Sequence, residues 1–122
     1  ARTVRLLQHA PLLGNEETLA TKAESNVRPL PLEALGQGLG YALYRYTSTG
    51  GDAASALHAL ARLPLKLEGM RDFALVLCDG RPLGTWDRSD RPPDLELPAS
   101  VSSLAVLTEV TARVNFGPGL AE

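Results

Sequence analysis

The chain has 122 residues, 44% of them hydrophobic and 21% charged, proportions that suit one domain burying roughly two-thirds of the surface its unfolded form exposes. They argue against disorder or a fibrous repeat. A formal net charge of -2 and a pI near 5.7, with arginines scattered along the chain, supply no basic field to collect phosphates, so nucleic acid is not an expected partner. No apolar run approaches the roughly 20 residues that cross a bilayer, and the N-terminus lacks a charged stretch leading into an apolar one, so no membrane partner is expected either.

In chain order, a first strand is read at 3–8. The stretch 11–38 has little periodicity and several Pro, Gly and Asn residues, as a long connection lying over sheets would. Gly36-Gln37-Gly38-Leu39-Gly40 follows no strand and fits no phosphate-cradling spacing, which makes it a flexible approach to the next strand. That strand, tyrosine-rich, is expected at 41–47, before a turn at 49–52. Alanine and leucine content at 52–62 allows a short helix, and a loop with a fragment of strand fits as well.

Period-two alternation marks strands at 65–68 and 95–97. The run 73–78 is apolar at every position and closes on Asp79-Gly80, the dipeptide that accepts the positive φ angles of a tight hairpin. Its partner is expected at 81–88, with Pro82 near the turn where a missing N–H costs the ladder least. A last strand is read at 104–111. Short strands at this spacing, parted by Gly and Pro turns, predict an all-β fold, an antiparallel sandwich or jelly roll, in a single domain over 1–122.

Candidate chemistry is thin. His9 and His58 lie far apart with no acidic pattern beside them, so no metal site is expected, and no Gly-x-Ser-x-Gly elbow accompanies them. Cys78 is the only cysteine, which excludes an internal disulfide; at the end of an apolar strand it reads as a small inert hydrophobe, Arg81 notwithstanding. Glu16-Glu17 and the group Asp87, Asp90 and Asp94 could in principle pair for glycoside hydrolysis. The second group is interleaved with Arg88 and Arg91, as a solvated, charge-balanced turn would be, and lacks the alternation of a calcium loop. Trp86, the only tryptophan, is a packing anchor or a stacking platform for a sugar ring.

Three segments in order resemble the first β-domain of family 35 glycoside hydrolases, the β-galactosidases. Segment 28–45 runs from Arg28 through Pro29-Leu30-Pro31-Leu32 and Gln37 to Tyr41 and Leu43-Tyr44-Arg45. The second takes in Leu67, Gly69, Arg71, Asp72, Ala74, Asp79-Gly80, Gly84 and Asp87-Arg88, similar to the family's Asp-Arg-Ala strand, Asp-Gly hairpin and closing Arg. The third is Arg113-Val114-Asn115-Phe116-Gly117, like the family's Gly-Arg-Val-Asn-Tyr-Gly. Together they cover most of the chain after Val27. Three departures stand out: Phe73 replaces the arginine of Asp-Arg-Ala, Ala112 a glycine, and Phe116 the usual tyrosine.

The resemblance implies a galactose-binding-like jelly roll packed, in the whole enzyme, against a (β/α)₈ barrel that bears both catalytic glutamates. No catalytic residue is therefore expected in this sequence; Glu16, Glu17 and Glu109 are not substitutes for the barrel's pair, and no cofactor or metal is implied. Arg113, Asn115 and Phe116 become the candidates for a domain interface or the rim of the substrate pocket, Phe116 keeping the ring without the hydroxyl. The partners implied are the barrel, the other β-domains and galactosides, in a secreted, periplasmic or lysosomal setting. A docking face left uncovered would favour a homodimer. The alternative is a free-standing galactoside-binding module using Trp86 or the Phe116 loop; a self-contained hydrolase using Asp87 and Asp94 has no enclosed site to support it.

Overall fold

The computed structural model describes residues 3–46, 57, 59, 61–70, 73–87 and 95–110. Among them one short helix, α1 (Glu16–Leu19), precedes six strands: β1 (Gly40–Tyr46), β2 (Pro64–Leu65), β3 (Phe73–Cys78), β4 (Arg81–Asp87), β5 (Leu95–Glu96) and β6 (Leu104–Val110). They form a four-stranded sheet in the order β1-β6-β3-β4 and a two-stranded sheet of β2 and β5. Every pairing is antiparallel, so the all-β sandwich expected from the strand spacing is the fold.

β3 is the inner strand of the hairpin, flanked by β6 and β4. Its uninterrupted apolar run follows from that position: Ala74, Val76 and Cys78 are buried on one face and Leu77 on the other. The turn to β4 has φ of 49° at Asp79 and 73° at Gly80, the paired positive values that match the right-handed twist of a hairpin. Pro82 lies on β4, which among the described residues pairs with β3 alone, so no described strand needs its missing N–H. The ladder passes from Val76 opposite Gly84 to Leu77 opposite Pro82, so Leu83 is the extra residue of a β-bulge.

Residues opposite one another in an antiparallel ladder project from the same face. One face of the large sheet thus carries Ala42, Thr108, Ala74 and Trp86 in one row, and Tyr44, Val106, Val76 and Gly84 in the next. The small sheet packs against the β3–β4 part of this face. Gly84 is the point of closest approach: a Cβ there would lie 2.5 Å from Leu95 Cδ2, so only hydrogen fits. The adjoining core gathers Leu57, Cys78, Leu97 and Val101, with Leu65, Leu83 and Leu104 packed against it. Arg62 N donates to Leu97 O and ties the turn before β2 to the end of β5.

Several expectations need correction. Residues 3–8 form no strand; they are exposed, with Leu6 87% accessible. An apolar-polar pattern alone cannot hold a strand that has no ladder partner. The strand expected over 65–68 is only Pro64–Leu65, because β5 offers it two residues and the chain then turns at Gly69, φ 72°. Over 11–38 the chain carries α1, and 21–29 is exposed; Leu13, Asn15 and Glu16 and then Leu30, Leu32, Leu35 and Gln37 are half-buried, and Tyr44 Oη donates to Leu30 O. At 52–62 the described residues Leu57 and Ala59 are helical, and Leu57 is buried. The expected strand ends at 47, 88 and 111 lie outside the described residues, as does the turn at 49–52.

Candidate functional site

Of the residues singled out from the sequence, Arg113, Asn115 and Phe116 lie outside the described residues, and so do His58, Arg88, Asp90, Arg91 and Asp94. Trp86 is described and sits on the same face as Gly84, directly across from the fully buried Ala74. Its ring is half-buried, and its Nε1 is shielded from solvent without a hydrogen-bond partner among the described residues. In the same row the buried Thr108 sends its hydroxyl to Ala42 O at 3.1 Å. The Nε1 edge of the indole is thus turned away from solvent while part of the residue stays exposed.

The opposite face of the large sheet is differently built. Leu43, Leu107 and Leu75 stand in one row across β1, β6 and β3, ending on Thr85; Ala105 and Leu77 follow in the next row, between Arg45 and Pro82. The third row runs Tyr41, Glu109, Phe73, Asp87. Leu43, Leu75, Phe73, Ala105 and Leu107 are half-buried, while Tyr41, Arg45, Thr85 and Asp87 around them are exposed. An apolar centre inside a polar rim is the anatomy of an interface. Sequence reasoning missed this face, since in runs apolar at nearly every position only the ladder register assigns a side chain to one face.

Beside the hairpin lies an open hollow of about 390 Å³ lined by Cys78, Asp79, Arg81, Pro82, Leu83 and Pro98. Among the described lining residues the one carboxylate, Asp79, accepts at Oδ1 from Ser102 N at 3.0 Å, Ser103 N at 2.9 Å and Ser103 Oγ at 3.3 Å. Glycoside hydrolysis needs two carboxyl groups flanking the bond to be cut, and the described lining of this hollow has one, already engaged. Cys78 is buried there, and desolvation first, then the negative charge of Asp79, push its thiol pKa up, away from the reactive thiolate. Glu16 and Glu17 stand in the first turn of α1, on a helix that carries no buried residue. Among the described residues, no three His, Cys, Asp or Glu side chains gather as metal ligands would, and no helix is long and apolar enough to cross a membrane.

Residues 29–122 match the family described as β-galactosidase, first all-beta domain. The chain is also 38% identical, over 96 residues, to a β-galactosidase of Xanthomonas manihotis, a match that takes in 77% of this chain and 14% of that relative.

Proposed function

The chain belongs to the family of first all-beta domains of β-galactosidases, and from that premise we propose that it serves as a non-catalytic support for the catalytic (β/α)₈ barrel of a family 35 enzyme. The observation that carries this reading is the outer sheet face, with Leu43, Leu75 and Leu107 at its centre and Tyr41, Arg45, Thr85 and Asp87 on its rim. The chain corresponds to only 14% of its relative, so the longer protein has ample further surface to cover that face. The half-buried leucines lose their remaining accessible area against the barrel, while the opposite face already packs on β2 and β5 at its β3–β4 side.

In this reading Arg113, Asn115 and Phe116 reach the rim of the pocket that holds a terminal galactose. Contacts of that kind orient substrate and exclude water without supplying an acid or a base. The nucleophile and the acid/base residue belong to the barrel, and the domain adds binding energy and rigidity.

The test is a pair of NMR titrations on the labelled chain. Separately produced barrel should broaden or shift the amides of Leu43, Leu75, Ala105 and Leu107, whereas galactose and lactose alone should leave the spectrum unchanged. Saturable shifts with free sugar around Trp86 or Asn115, and none with barrel, would instead make the chain a free-standing galactoside-binding module.

A further inference from the structure

We propose that the outer edge of β1 is an interface on which a second copy of this chain pairs, strand to strand and antiparallel, about a two-fold axis at Leu43. Among the described residues the large sheet ends in two unlike edges. β4 is blunted by Pro82 and by the bulge at Leu83, devices that discourage strand addition. β1 has none of them. Its seven residues run in unbroken register with β6, from Gly40 opposite Val110 to Tyr46 opposite Leu104, and contain neither proline nor lysine. Among the described residues its backbone bonds to no segment other than β6.

The strand is complementary to itself. A two-fold axis at Leu43 is the symmetric register that overlaps all seven residues, and on the inner face it sets large side chains against small ones. Tyr46 meets Gly40, which has a φ of 99° and no side chain, and Tyr44 meets Ala42. On the outer face Tyr41 meets Arg45 of the other copy, a ring against a guanidinium, and this pair occurs twice. Tyr41 and Tyr46 are 54% and 44% exposed in the single chain, so both rings have area left to cover. Leu43 meets its own copy, which joins the two Leu43-Leu107-Leu75 rows into one across the axis. Moving the axis to Ala42 or Tyr44 shortens the overlap and breaks the Tyr41-Arg45 pairing. An isologous contact of this kind closes at two copies.

Sedimentation equilibrium of the chain should therefore reach twice the 13.0 kDa chain mass as concentration rises. Tyr41→Arg opposes two like charges at each end of the interface and should weaken association by roughly tenfold or more. Adding Arg45→Glu to it restores opposite charges and should bring association back to near wild type. Both positions are exposed, so the fold is spared, and circular dichroism checks this. In parallel, Leu43→Cys should oxidise to a covalent dimer, because opposed Cα atoms about 4.5–5.5 Å apart lie within disulfide reach, while Thr85→Cys on β4 should not. A chain that stays monomeric at every concentration overturns the proposal. So does a dimer indifferent to Tyr41→Arg, or a dimer whose Leu43→Cys variant fails to cross-link.

Discussion

Asp79 and Ser103 hold each other through both main chain and side chain. Asp79 N donates to Ser103 O at 3.0 Å, while Ser103 N and Oγ donate back to Asp79 Oδ1 at 2.9 and 3.3 Å. The hairpin turn is thereby pinned to the residue that leads into β6, at the end of the ladder where Cys78 faces Leu104. Asp79→Ala removes the acceptor and places a Cβ residue without local hydrogen bonding at a positive φ, for a loss of about 1–2 kcal/mol. Asp79→Asn keeps an acceptor oxygen and tolerates the same φ, so it should lose less than half of that. Urea denaturation of the two variants beside the wild type checks the ranking.

The sandwich contact should be equally sensitive to one methyl group. Gly84→Ala drives a Cβ into Leu95 Cδ2 and should destabilise by about 1–3 kcal/mol, the usual cost of overpacking. Shortening the opposing side chain with Leu95→Ala should be destabilising alone yet less costly in the Gly84→Ala background. A double-mutant cycle that shows simple additivity would mean the two positions do not touch.

Stability should fall as the solution becomes alkaline. Burial and the Asp79 charge raise the Cys78 pKa, and burial followed by the Glu33 charge raises that of Tyr44. The unfolded thiol ionises first, from about pH 8.5, so the unfolded state then binds fewer protons and stability declines with pH. The contribution is intact below that value and gone once pH passes the folded pKa; Tyr44 adds its own decline from about pH 10. Denaturation midpoints between neutral and alkaline pH should show this slope, and Cys78→Ala should flatten its first part. The native thiol should also resist alkylation at neutral pH until denaturant is added.

Trp86 is the only tryptophan, so fluorescence excited selectively at the indole, beyond tyrosine absorption, reports on it alone. With its Nε1 out of solvent and its ring beside Ala74, emission should lie to the blue of a free indole and resist soluble quenchers. Galactose should leave both unchanged. A saturable response to the sugar would place a binding site at Trp86.

The amino-acid sequence by itself determined the local elements that depend on neighbours along the chain. The apolar run 73–78 with Asp79-Gly80 behind it specified a strand and a tight hairpin, because only a few residues accept two successive positive φ angles. Tyrosine-rich and Leu/Val/Thr-rich segments likewise specified β1 and β6 to within a residue over the described part. The family resemblance was legible too, carried by the order of its segments. Only the tertiary structure decided which face each side chain takes. Leu43, Leu75 and Leu107 share a face solely because β6 lies between β1 and β3 in one particular register, and a shift of β6 by one residue would send Leu107 to the other side. The same distant pairing explains why 3–8, patterned like a strand, is none, and why Gly84 has to be glycine: each depends on what another part of the chain brings opposite it.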